Sequence, residues 1–203
     1  MSAAAASPFC ASRIGLALLV AIAPAQAFAH SGPGAHSDFF QGLAHPVSGL
    51  DHLLVMVGIG LFAATLGARA RWVLPGTFVT VMALAAIAAM SGLIGGAPAE
   101  HLMALSVIVI GVPIALALKP SLPSAMALVA LCASVHGHAH GVELPAAANA
   151  STFLLGFVLS TALLHATGAL AGIGLNRLSY AGFTPSRGVG AAMVLAGLVL
   201  AFG

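Results

Sequence analysis

Charged residues are scarce in this sequence: six Lys or Arg and four Asp or Glu, together 5% of 203 residues. A soluble domain commonly has about a quarter of its residues charged. So few charges cannot form a hydrated shell, which excludes a soluble globular protein. The sequence also has no run of basic residues, which excludes a nucleic-acid-binding surface.

Cysteine is nearly absent, with only Cys10 and Cys132. Cys10 lies in a segment that we expect to be removed, so no disulfide can form within the mature chain. We expect Cys132 to be a small buried apolar residue. The lack of paired cysteines argues against a Cu(I) site or a structural zinc site. The chain also has no phosphate-binding Gly-rich motif of an ATPase.

Hydrophobic residues, by contrast, make up 61% of the chain, and the mean hydropathy is +1.12. Long apolar runs recur between short Gly-, Pro- or charge-containing breaks, which predicts an all-α bundle of about six helices in a lipid bilayer. The predicted helices cover residues 48–66, 72–94, 99–118, 122–140, 147–175 and 188–202.

The first 29 residues have the pattern of a signal peptide. Arg13 precedes a short apolar run, and Ala27-Phe28-Ala29 forms a small-residue cleavage site. The alternative, a seventh membrane helix, needs about 20 apolar residues, and the run is shorter. We therefore predict a signal peptide over 1–29 and a single membrane domain over 30–203, with 30–40 as a flexible periplasmic tail.

The basic residues test this orientation. With an exported N-terminus, the cytoplasmic loops contain Arg69, Arg71, Lys119, Arg177 and Arg187, as the positive-inside rule requires. The acidic residues fall near the outer ends of helices. The sequence thus predicts a multi-pass protein of the bacterial inner membrane with its mature N-terminus in the periplasm.

The start of the first predicted helix concentrates polar residues. His45 and His52 are seven residues apart and share a face if one helix includes both, and Met56 follows on that face. Asp51 and His52 inside a membrane helix are costly unless they are paired or functional. Alternatively, Ser48 and Asp51 form a capping box, which would explain neither histidine.

A second polar cluster ends the fourth predicted helix. His136 and His140 are spaced i, i+4, so both imidazoles can reach one metal ion. His138 points elsewhere on a helix, and Glu143 follows Gly141, where we expect the helix to end. The alternative is a solvated His-rich loop.

Three further residues are weaker candidates. Glu100 and His101 begin the third predicted helix, where Glu100 either complements the helix dipole or receives an incoming ion. His165 is isolated in the fifth helix. It is either hydrogen-bonded to a neighbouring helix or a second station on a path, too deep to join the outer cluster easily.

These side chains indicate a metal site. Imidazole and carboxylate ligands suit Ni²⁺, Co²⁺, Zn²⁺ or Fe²⁺ better than Ca²⁺ or Mg²⁺. Three readings remain open: a metal permease, a metal sensor or assembly protein without flux, and an intramembrane zinc hydrolase. The hydrolase has least support, because the chain has no HExxH helix, and we expect a protein that is not an enzyme.

The same residues resemble the HupE/UreJ family of bacterial membrane proteins. The resemblance rests on HPVSGLDHLLVM at 45–56, on HGHAHGVELP at 136–145, and on His165 with Gly168. It implies a secondary permease for Ni²⁺, or for Co²⁺, associated with a hydrogenase or urease maturation system. It also implies a metal-binding role for the following residues: His45, Asp51, His52, His136, His140 and Glu143.

Overall fold

The computed structural model describes residues 35–96, 100–144, 149–178 and 183–203. Seven α-helices occur within these ranges. They are α1 (Ala35–Ser48), α2 (Leu50–Leu66), α3 (Ala70–Met90), α4 (Glu100–Ala115), α5 (Leu122–Glu143), α6 (Ala150–Arg177) and α7 (Pro185–Phe202). The predicted signal peptide and residues 30–34 lie outside the described residues.

The helices confirm the all-α membrane class. Four of them, α3, α5, α6 and α7, are long and apolar enough to cross a bilayer, and the bent pair α1 and α2 passes the same test of length and composition when taken together. Helix α4 is apolar but shorter, with 16 residues, so the predicted number of six is approximate. Many large apolar side chains face outward, among them Trp72 and Leu170, as expected for a surface in contact with lipid.

The first predicted helix, 48–66, corresponds to α2, which begins two residues later. The sequence did not indicate the helix α1 that precedes it, and the two helices meet at Gly49 at an angle of 80°. Gly49 has an extended backbone, with φ −102° and ψ 130°, and begins α2. Pro46, which suits a first helical turn, lies instead near the end of α1. Residues 35–40 of the predicted flexible tail are helical, because α1 packs along α6.

Glycines allow the helix backbones to approach closely. A Cβ atom on Gly168 of α6 would lie 2.0 Å from the Val57 carbonyl oxygen of α2. A Cβ atom on Gly137 of α5 would lie 2.1 Å from the Met82 carbonyl oxygen of α3. These contacts fix α2 against α6 and α5 against α3, as expected for small residues at membrane helix interfaces. Gly137 thereby positions the histidines on either side of it.

The two ends of the bundle differ in charge. Lys119 and Arg187 line one cavity together with Thr65, which is in the last turn of α2. Asp51 is in the first turn of α2, and Glu143 is in the last turn of α5. Basic residues therefore gather at one end of the helices, and carboxylates and histidines gather at the other.

Candidate metal centre

Three histidines from three helices meet at the acidic end of the bundle. We call His45 of α1, His52 of α2 and His140 of α5 the triad; one ring nitrogen of each lies within 4.8 Å of the others. His52 Nε2 is 3.0 Å from His140 Nε2, and His45 Nε2 is 3.1 Å from His140 Nδ1. His52 and His140 are buried, and His45 is partly buried. The triad offers a set of nitrogen ligands that a borderline metal prefers.

Asp51 orients the imidazole of His52. Its Oδ1 accepts hydrogen bonds from the backbone N–H of His52 at 2.8 Å and from His52 Nδ1 at 2.7 Å. With a proton on Nδ1, a neutral His52 has its lone pair on Nε2, which faces His140. A carboxylate behind a histidine in this way is typical of metal-binding histidines. No side chain caps α2, and Ser48 Oγ instead donates to the His45 carbonyl, so the capping-box alternative is wrong.

The close fit around Gly49 yields a first testable prediction. A Cβ atom there would lie 2.8 Å from both Asp51 Oδ1 and His52 Nδ1. Gly49→Ala should therefore separate Asp51 from His52 while every metal ligand remains. We expect Ni²⁺ affinity to fall about tenfold, which is the lower end of the loss seen when a residue that supports a metal ligand is removed. Equilibrium dialysis with nickel measures this. Gly95→Ala is the control, because no described atom lies within 4 Å of that Cβ, and equal losses in both variants would contradict the prediction.

Aromatic rings from α6 support the triad. The Phe157 ring lies 4.4 Å from that of His140 and 5.9 Å from that of His45, and the Phe153 ring lies 5.8 Å from that of His45. Sequence reasoning missed both phenylalanines. Their i, i+4 spacing places them on one helix face, but it does not indicate which residues that face contacts.

His136 lies next to the triad, one helical turn before His140 on α5. Its ring centre is 5.2 Å from that of His52 and 6.5 Å from that of His140. His136 Nδ1 donates to the Cys132 carbonyl at 2.9 Å. Cys132 itself is buried, as predicted, with its thiol unpaired. Since the fully buried His136 Nε2 has no hydrogen-bond partner among the described residues, it is an available ligand.

The sequence predicts that α5 ends at Gly141, but the helix continues to Glu143. A Cβ atom on Gly141 would lie 2.5 Å from the Ala86 carbonyl oxygen of α3, so Gly141 is a packing position. The continued helix places Glu143 Oε2 4.0 Å from His140 Nδ1. Glu143 is thus a neighbour of the triad through His140.

The weaker candidates lie elsewhere. His138 points toward the segment after α3, with its Nε2 3.5 Å from where a Cβ atom on Gly96 would be. Met56 is fully buried in the apolar core. Glu100 and His101 are exposed at the start of α4. His165 is buried in α6, where its ring centre lies 5.1 Å from that of Phe78.

Comparison with known proteins agrees with this architecture. A family model described as HupE / UreJ protein matches residues 17–200. The chain is 41% identical over 176 residues to Protein HupE of Rhizobium leguminosarum bv. viciae, an alignment that covers 86% of this chain and 91% of that protein. No solved structure matches the chain. The chain therefore belongs to the HupE/UreJ family, a transporter-type membrane family associated with nickel or cobalt transport or with hydrogenase and urease maturation.

Proposed function

We propose that this protein is a secondary permease that moves Ni²⁺ from the periplasm to the cytoplasm through the bacterial inner membrane. The observation that carries the proposal is the triad itself: three imidazoles from three helices, with ring nitrogens within 4.8 Å of one another. A group of this kind within a membrane bundle is expensive unless it serves a function. Its location at the acidic end, opposite the basic residues, suits a site that faces the periplasm.

The hydrogen bonds of the triad suggest how an ion enters. Because His52 Nδ1 holds its proton against Asp51, His140 Nε2 must donate to His52, and His45 Nε2 must donate to His140 Nδ1. An entering cation takes the place of these two hydrogen bonds, so His45 and His140 each move their proton from Nε2 to Nδ1. For His140, Nδ1 is on the side where Glu143 Oε2 lies 4.0 Å away. The ligands remain neutral imidazoles, and the carboxylates behind them balance the charge of the ion.

Transport in this direction needs no energy source other than the membrane potential. An inside-negative potential favours cation entry by about 2.3 kcal/mol per charge per 100 mV. Two charges on Ni²⁺ double this gain. Family membership equally allows Co²⁺ as the cargo, and imidazole ligands accept both ions.

The direct test is nickel flux into liposomes that contain the purified protein. We expect radioactive Ni²⁺ to enter protein-containing liposomes faster than protein-free ones when the interior is made negative, and unlabelled Co²⁺ to compete more strongly than Mg²⁺. The potential should accelerate entry because the ion carries charge. Nickel binding without any entry would contradict the permease and favour a sensor or assembly protein.

A further inference from the structure

Below the triad, the bundle contains buried polar atoms without partners. Among the described residues, His136 Nε2, Thr161 Oγ1 and His165 Nε2 are fully buried and have no hydrogen-bond partner. An unsatisfied buried polar atom is unfavourable in any protein interior and more so in a bilayer. Such atoms commonly bind a water molecule or an ion. His138 Nδ1 on α5 is a fourth such atom, but the His138 ring points toward Gly96. The other three lie on α5 and α6 inward of the triad, so we look for a common explanation.

His165 presents a fixed lone pair deep in the membrane. It lies fifteen residues into α6, about 22 Å along the helix at 1.5 Å per residue. His165 Nδ1 donates to the Thr161 carbonyl of its own helix at 2.7 Å, which leaves Nε2 as the acceptor of a neutral ring. His136 makes the same bond to the carbonyl four residues before it. Both histidines are therefore held in the tautomer that binds a metal through Nε2.

A continuous series of rings connects His165 with the triad. The His136 ring centre lies 5.2 Å from that of His52 on one side and 5.7 Å from that of Phe78 on the other. Phe78, which is fully buried, then contacts His165 with ring centres 5.1 Å apart. His136 is thus one step inward from the triad, and His165 is the next imidazole beyond the phenyl ring.

His165 borders an open cavity of about 710 Å³ on the outward side of α3 and α6, which is also lined by the outward-facing Trp72 and Leu170. The cavity extends to Ala68 and Arg71, at the basic end of the bundle. Among the residues that line it, His165 is the one with a side chain that binds borderline metals. His165 is thus the last imidazole of the series that begins at the triad.

We propose that His165 forms a second, inner metal-binding station, with Thr161 Oγ1 beside it and His136 as the step between it and the triad. Its role as a transport intermediate rests on the proposed permease function, whereas its capacity to bind metal does not. If His165 is such a station, a divalent ion that binds the protein must be able to reach the side chain at position 165.

A cysteine at position 165 tests this requirement. In a Cys132→Ala background, His165→Cys should give a near-ultraviolet thiolate-to-cobalt charge-transfer band when Co²⁺ is added to the purified protein, because thiolate is a strong ligand for such ions. Ala166→Cys, at the next position on the same helix, should give none. Thermal unfolding of both variants verifies that they are folded. A folded His165→Cys variant that binds Co²⁺ at the triad without this band would overturn the inner station.

Flux separates this proposal from the permease proposal. His165→Ala should leave nickel affinity at the triad within about twofold of the wild type but lower maximal entry into liposomes at least tenfold, whereas His101→Ala should lower neither. Unchanged entry in His165→Ala would overturn the station. If wild-type liposomes take up no nickel at all, the permease proposal fails, and the cobalt band alone decides whether the inner station exists.

Discussion

Nickel uptake should fall to the level of empty-vector cells when His140 is replaced by alanine, and Ni²⁺ affinity should fall by about 100-fold or more. His140 is the residue of the triad that contacts both others, at 3.0 Å and 3.1 Å. Its loss removes a ligand and leaves His45 and His52 without the ring that joins them. Loss of groups that only support a metal ligand already costs about 10- to 100-fold in affinity. Uptake of radioactive nickel and equilibrium dialysis measure the two effects.

His138→Ala is the matched control for this experiment. It removes an imidazole from the same helix two residues away, but His138 points toward Gly96 rather than toward the triad. We expect its uptake and affinity to stay within about twofold of the wild type at equal membrane abundance. Equal losses in the two variants would mean that the number of histidines matters and that the geometry of the triad does not.

Gly168→Leu should prevent α2 and α6 from packing and should yield little folded protein. Even a Cβ atom at this position would lie 2.0 Å from the Val57 carbonyl oxygen, and the nearby atoms belong to the α2 backbone. Overpacking by side chains commonly costs about 1–3 kcal/mol, and a rigid helix backbone cannot adapt as a side chain does. The expected measurement is a loss of the monodisperse peak in size-exclusion chromatography and a large drop in thermal unfolding temperature.

Gly174→Leu provides the comparison on the same helix. No described atom lies within 4 Å of the position that its Cβ would take, so the added side chain meets open space. This variant should unfold within a few degrees of the wild type. A Gly168→Leu protein that is as stable as Gly174→Leu would show that α2 and α6 are not held in contact at this position.

The sequence predicts the apolar helices well because membrane insertion depends on length and composition, which are local properties. The break at Gly49 could not be predicted in this way. Pro46 and Ser48 are compatible both with the start of one helix and with the end of another. The structure resolves this because α1 packs against α6, where a Cβ atom on Gly42 would lie 2.0 Å from the Phe153 carbonyl oxygen. That contact joins residues distant in sequence.

In the candidate site, too, the sequence predicts some features, whereas others depend on tertiary contacts. His45, His52 and His140 are visible as polar residues in an apolar chain, and this alone marks them as candidates. Their grouping is a tertiary property. The i, i+4 spacing pairs His136 with His140, yet the ring of His136 lies closer to that of His52 than to that of His140. Phe157 was missed because a phenylalanine in a membrane helix is unremarkable until its neighbours are known.

The hydrogen bonds within the triad also bear on selectivity against Mg²⁺. In this structure His140 bonds to both His45 and His52, so an ion that binds at the triad as proposed must break these bonds, each worth about 0.5–1.5 kcal/mol. Only an ion that gains more from imidazole than from water can offset this cost. Mg²⁺ holds its hydration shell tightly and prefers oxygen ligands. In the proposed permease, we therefore expect the bonds that assemble the triad to discriminate against the hard ion, without a pore of a particular diameter.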